Sequence, residues 1–212
     1  MSQSQKTTSQ TISKLYKSRK IILELAKRRG FDIDDYNNFS INDISVMFNN
    51  KQLDMLIENP KNGKKIYYKY HIITKIRPPH IYEYIDDLFN LEEILKQEDD
   101  LIIVTKDKPN DGILNILNMI YKNNGQYVSI YNFHNFRCNI LDNVLQPKFK
   151  VLTETEKNEI TQKYNITSDS NFQEISRFDP VALVIGIRPG EITEITRKSP
   201  TALQSKTWRI CL

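Results

Sequence analysis

The feature that most constrains this chain is a strand, helix, strand succession in its middle. The β-branched run Leu101, Ile102, Ile103 and Val104 is followed by a helical stretch over residues 112–123. That stretch turns Ile113, Ile116, Leu117 and Ile120 to one side, and a second β-rich run, Tyr127 to Tyr131, follows it. Two strands separated by one helix cannot be joined as a hairpin, so they lie parallel with the helix crossing one face. An uninterrupted apolar strand such as 101–104 suits a sheet covered on both sides.

Before this unit, Ile12, Leu15, Tyr16, Ile22, Leu23 and Ala26 recur at helical spacing, and Gly30 marks the stop. Ser40 and Asp43 stand three apart as a capping box opening a second helix with Ile44, Met47 and Phe48. Leu53, Met55 and Ile57 alternate with polar residues, residues 59–63 turn the chain, and Ile66, Tyr68, Tyr70 and Ile72 alternate again, which reads as a β-hairpin. Residues 80–96 return to helical spacing through Ile81, Ile85, Leu88 and Leu95.

The pattern resets near Pro147, which sets an expected domain boundary at about residue 142. Beyond it, Phe149 to Leu152 reads as a strand, and Thr153 with Glu156 forms a second capping box for a helix closed by Asn165. Short strands are expected around 174–175, 192–196 and 207–211. Between them Asp179 caps a helix start, Pro180 fits its first turn, and Gly186 and Gly190 supply the turns that follow. The expected organisation is a flexible lead-in over 1–10, an α/β domain over 11–141 with a mixed sheet flanked by helices, and a small α+β domain over 142–212. Overall this is an α/β (α+β) chain.

Composition removes several function classes. A chain of 212 residues with formal charge +4 is mildly basic, short of the dense basic patch of a stand-alone nucleic-acid binder. Cys138 and Cys211 stand far apart with no Cys/His cluster, which argues against a disulfide framework or zinc site and for a reducing compartment. Cys138, in an aromatic-rich segment, is read as a core residue. No stretch approaches the roughly 20 apolar residues of a membrane span. The chain is therefore expected to be soluble and intracellular.

No catalytic constellation emerges. His71, His80 and His134 are scattered and read as structural. The six glycines form neither GxGxxG nor GxxxxGK[ST], and GxSxG is absent. A metal-dependent nuclease commonly places an acid two residues before a lysine on one strand, and no Asp or Glu here has Lys at that spacing. Neither a metal nor a cofactor is expected. The loop bearing Lys106, Lys108 and Pro109 follows the 101–104 strand, at the sheet edge where ligands approach, and its lysines could meet phosphates. Asp107 and Asp111 dilute its charge. The basic runs 17–20 and 27–29 are read as the wet face of a helix.

The C-terminal third carries a resemblance. Residues 145–153, Tyr164-Asn165-Ile166, Asp179-Pro180-Val181-Ala182, Gly186, Arg188, Gly190, Ile195, Arg197, Ser199, Thr201-Ala202 and Arg209 follow, in order, the pattern of one family. It is similar to the C-terminal assembly domain of the fifth-subunit family of eukaryotic-type DNA-directed RNA polymerases, whose archaeal counterpart is a much shorter chain. Residues 15–20 and Arg29-Gly30-Phe31 also resemble the start of the eukaryotic N-terminal jaw, which the archaeal form lacks. Cellular and large-DNA-virus versions both fit. Leu203 departs from the family where Gly is common, and Trp208 stands where a Tyr precedes the arginine.

The resemblance implies a non-catalytic polymerase subunit that works during transcription, in the nucleus if cellular and in host cytoplasm or virion if viral. Its C-terminal domain would dock on the largest subunit and neighbouring small subunits, with no membrane and no small-molecule substrate as partner. Its jaw would approach downstream double-stranded DNA weakly and without sequence preference, through Lys106, Lys108 and Pro109. Asp179, Pro180, Gly186, Arg188, Gly190, Arg197, Ser199, Thr201 and Arg209 would serve folding and docking. The residues by themselves leave two alternatives: a degenerate nuclease-like domain or a free-standing transcription adaptor.

Overall fold

The computed structural model describes the backbone of residues 3–212 and the side chains from Gln10 onward. The chain divides into two compact units, Met1–Asn139 and Ile140–Leu212. Both are mixtures of helices and mixed sheets, the expected α+β class.

The first unit opens with α1 (Gln3–Arg28), which begins ahead of the expected Ile12; Met1 and Ser2, part of the expected lead-in, lie outside the described residues. Next comes α2 (Ile41–Asn49), capped as expected: Ser40 Oγ accepts from the Asp43 N–H, and the Asp43 carboxylate accepts from the Ser40 N–H at 2.8 Å. The hairpin β1 (Met55–Glu58) and β2 (Lys65–His71) is antiparallel. β3 (Asp100–Thr105) and β4 (Tyr127–Asn132) then add in parallel, giving the order β1-β2-β3-β4. The crossovers run through α3 (Pro78–Ile85) and α4 (Asp111–Asn124). Every residue of β3 and β4 is buried, in keeping with the apolar run Leu101 to Val104, and the polar Asp100, Thr105, Ser129 and Asn132 are buried with them. Leu15, Ile22, Ile57, Ile81, Leu101 and Leu117 belong to this core.

The single helix expected over 80–96 is two pieces. α3 stops at Ile85 and passes into a π-helical turn, Asp86–Leu91, where the Glu92 N–H donates to Asp87 O. Glu93 then takes φ +49, a left-handed conformation that ends the helix. Leu88 and Leu95 are nevertheless both buried, and Leu95 N–H donates to Leu88 O. The apolar spacing therefore survives although the helix does not.

In the second unit β5 (Lys148–Val151), β7 (Ile192–Ser199), β8 (Leu203–Cys211) and β6 (Gln173–Ile175) form a sheet of order β5-β7-β8-β6. The β5/β7 and β7/β8 pairs are antiparallel and β6/β8 is parallel. β8 starts at Leu203 rather than Thr207, because β7 and β8 form one long hairpin with Ser199 opposite Leu203. α5 (Glu154–Lys163) begins at the expected capping box, Thr153 with Glu156. α6 (Pro180–Ile185) follows Asp179, whose carboxylate accepts from the Val181 N–H at 2.9 Å. Ile175, Ala182, Ile187 and Cys211 form one core cluster of this unit, and Phe172, Ile192 and Ile210 another.

Candidate functional site

Two features of the first unit converge at the C-terminal ends of β3 and β4. Thr105 and Asn132 are register partners, and the Phe133 N–H extends the ladder by donating to Thr105 O at 3.0 Å. Lys106 and His134 therefore leave neighbouring strands side by side. Thr105 Oγ1 donates to Asp107 O at 2.8 Å, and the Asn110 side chain caps α4 by accepting from the Ile113 N–H at 3.1 Å. Between these anchors Lys106, Asp107 and Lys108 are exposed and Pro109 is half-buried.

Beyond β4, Asn132 Oδ1 accepts from the His134 N–H at 2.8 Å, and the buried Phe133 ring stacks on the His134 imidazole at 4.2 Å. Arg137 Nε donates to His134 O at 3.1 Å within the 3-10 turn Asn135–Arg137, against which α1 packs. The His134 imidazole is held below its ordinary value, first by burial and then by the charges of Lys14, Arg137 and Lys106, with Asp107 opposing. Chain positions that are far apart thus share one cationic neighbourhood. Lys106, Lys108 and Pro109 are neighbours in the sequence; Lys14, His134 and Arg137 carried no spacing signal, because only the fold brings them near Lys106. Cys138, expected in the core, is exposed beside them. Its segment has left the sheet, and Phe136 supplies the buried aromatic instead.

The basic runs of α1 are not uniformly a wet face. Arg19 is buried, with its guanidinium 5.9 Å from the Tyr36 and Phe39 ring centroids and 5.6 Å from that of Tyr70, and with Nη1 donating to Leu53 O. Arg29 pairs with the buried Asp100 at 2.9 Å, and Lys64 pairs with the same carboxylate at 3.0 Å. Burial opposes the charge of Arg29, yet Asp100 holds its pKa above the ordinary value. These arginines hold the sheet to its helices. Among the described residues no group of three or more His, Cys, Asp or Glu could hold a metal ion, and no helix is long and apolar enough to cross a membrane.

In the second unit the expected docking residues separate into two ends of the β7–β8 ribbon. At one end lie Asp179 and Pro180 of the α6 start and Gly186, left-handed at φ +74, with Gly190 at φ +91. Gly190 N–H donates to Cys211 O at 2.9 Å, and the Arg188 N–H donates to Glu191 Oε2 at 2.8 Å. At the other end, about 25 Å away at roughly 3.3 Å per residue, are Arg197, Ser199 and Thr201; Ser199 Oγ and Thr201 Oγ1 are 3.3 Å apart. Arg209 belongs to the α6 end, two residues before Cys211 and opposite Thr193 and Gln173.

The hairpin end borders an open groove of about 860 Å³ whose lining includes Val144, Leu145, Pro147, Lys148, Arg197 and Lys198. Val144 is 92% exposed and Leu145 90%. Leu203, 87% exposed, closes the hairpin at φ +56.

The second unit matches known proteins. The model of the RNA polymerase Rpb5 C-terminal domain matches residues 138–211. DNA-directed RNA polymerase subunit Rpo5 of Thermococcus kodakarensis is 45% identical over 64 residues, spanning 30% of this chain and 77% of that protein. The chain belongs to the Rpb5 family. The RPB5 homolog of African swine fever virus is 33% identical over 114 residues, 52% of this chain and 55% of that protein. Subunit 5 of Acanthamoeba polyphaga mimivirus is 31% identical over 109 residues, 51% of this chain and 49% of that protein. Both viral matches are longer than the second unit, so the Rpb5 likeness extends into the first.

Within the Rpb5 frame the two departures have different consequences. Trp208 packs inward, its ring 5.0 Å from that of Tyr164 and against the cluster of Phe172, Ile192 and Ile210. Leu203 keeps a backbone conformation that favours glycine while carrying an exposed apolar side chain.

Proposed function

We propose that the chain is a non-catalytic subunit of a DNA-directed RNA polymerase. Its second unit docks on the largest subunit and neighbouring small subunits, and its first unit approaches downstream double-stranded DNA through the loop of Lys106, Lys108 and Pro109. The observation that carries this reading is the match to an archaeal polymerase subunit over 77% of that subunit's length. The exposed pair Val144 and Leu145, in one groove with the cations Arg197 and Lys198, supports docking, because a protein interface needs an apolar centre with a polar rim.

In this reading the metal and nucleotide chemistry belongs to other chains. Asp179, Pro180, Gly186, Arg188, Gly190 and Arg209 shape the docking unit at the α6 end, and Arg197, Ser199 and Thr201 present the hairpin end. Replacing Val144 and Leu145 by Asp tests the docking face. The tagged variant should keep the wild-type melting temperature yet recover less than a tenth of the polymerase that the wild-type chain recovers from its native source. Equal recovery would refute docking through this groove.

A further inference from the structure

We infer that the DNA-facing surface of the first unit is not confined to the Lys106–Pro109 loop but continues across Lys14 and Lys17 of α1 and Arg137, as one phosphodiester-binding patch. This extension rests on the reading that the first unit meets DNA. Gln10, Lys14 and Lys17 lie on one helical face by their spacing, and with Ser13, Arg137 and Cys138 they line an open concavity of about 570 Å³. The Phe133–Thr105 hydrogen bond and the Arg137–His134 contact tie this concavity to the Lys106 loop. Further along α1 the cationic face ends at Glu24, whose carboxylate accepts from Asn139 Nδ2 at 3.1 Å and from Arg28.

Among the described residues, Lys14, Lys17, Lys106, Lys108 and Arg137 form no ion pair. Their charge is therefore available to an external anion. The lining decides which kind. The concavity has no large apolar side chain, whereas a protein partner needs an apolar anchor, as the groove in the second unit offers. A phosphate backbone needs only cations and hydrogen-bond donors, without base contacts. The pKa of His134, lowered first by burial, is lowered further by Lys14, Arg137 and Lys106, with Asp107 opposing, which agrees with positive charge gathered there.

The test is anisotropy of the full chain on a fluorescent random duplex of about 30 base pairs from 50 to 200 mM salt, at roughly 0.9 log unit of slope per phosphate contact. Five contacts predict a slope near −4.5 and an affinity loss of roughly 500-fold across that range. The loop alone would give a slope near −1.8 and a loss of roughly 12-fold. The variant K14Q/K17Q/R137Q should lose about 2.7 of the slope and K106Q/K108Q about 1.8. A triple variant with the wild-type slope, beside a weakened loop variant, would overturn the patch and leave the loop reading standing. Two variants with the wild-type slope would remove both.

Alkylation of Cys138 in the unmodified chain gives a readout independent of variant folding, since Cys138 is exposed and Cys211 buried. Duplex should slow it several-fold, and an unchanged rate would overturn the patch. Equal protection by a poly-glutamate peptide would overturn the nucleic-acid assignment.

Discussion

Replacing Leu203 by glycine should stabilise the second unit. Leu203 closes the β7–β8 hairpin at φ +56, in the left-handed region, and its side chain is 87% exposed. A non-glycine residue in that region is strained by roughly 1–2 kcal/mol. Glycine removes the strain and little packing is lost, while its greater freedom in the unfolded chain returns about 0.5–1 kcal/mol. The net gain is about 0.5–1 kcal/mol, which raises the transition of a unit this size by roughly 4 °C. Leu203→Ala keeps a Cβ in the strained conformation and should melt within about 0.5 kcal/mol of wild type. Calorimetry of the full chain, following the second-unit transition, reads both variants. A glycine variant that melts with wild type, or an alanine variant that gains as much as glycine, would refute the strain argument. If Leu203 is also a docking contact, the more stable glycine variant will recover less polymerase than wild type.

Asp100→Asn removes the charge that balances the largely buried Arg29 and its neighbour Lys64, so the first unit should lose about 3–5 kcal/mol in urea unfolding; an unchanged midpoint would contradict this. The pKa of His71 is depressed, first by burial and then by His80, with Lys69 adding to it. The unfolded chain takes up that proton more readily near its ordinary value of about 6.5. Stability from this group is therefore present above that pH and lost on acidification through the lower folded value. Melting scans from neutral pH downward should show the first unit weakening, and His71→Gln should flatten the trend. Duplex DNA should raise the pKa of His134 by neutralising Lys14, Lys106 and Arg137 around it, with Asp107 unchanged. Imidazole NMR titration measures this, and an unmoved or lowered value counts against the patch.

Much of the local structure was legible because its determinants are local. The capping boxes at Ser40 and Thr153 and the Asp179–Pro180 start each need only residues within one turn. The parallel pair β3 and β4 followed from the helix between them, and the burial of β3 from its run Leu101 to Val104. The break after Ile85 was hidden because Leu88 and Leu95 remain buried through the π-turn, so the apolar period gives no sign of it. Arg19 and Arg29 looked like surface charge because their partners, an aromatic cage and Asp100, are distant in sequence. The patch of Lys14, His134 and Arg137 was invisible for the same reason, and Cys138 was misplaced because the aromatics around it do not show which of them turns inward.

Native mass spectrometry of material purified on the tagged chain from its native source decides whether the chain is a polymerase subunit without chemistry of its own. The expected result is a multi-subunit transcriptase containing one copy of this chain per particle. Recovery as a free monomer, or at a small fraction of the polymerase present, would contradict it.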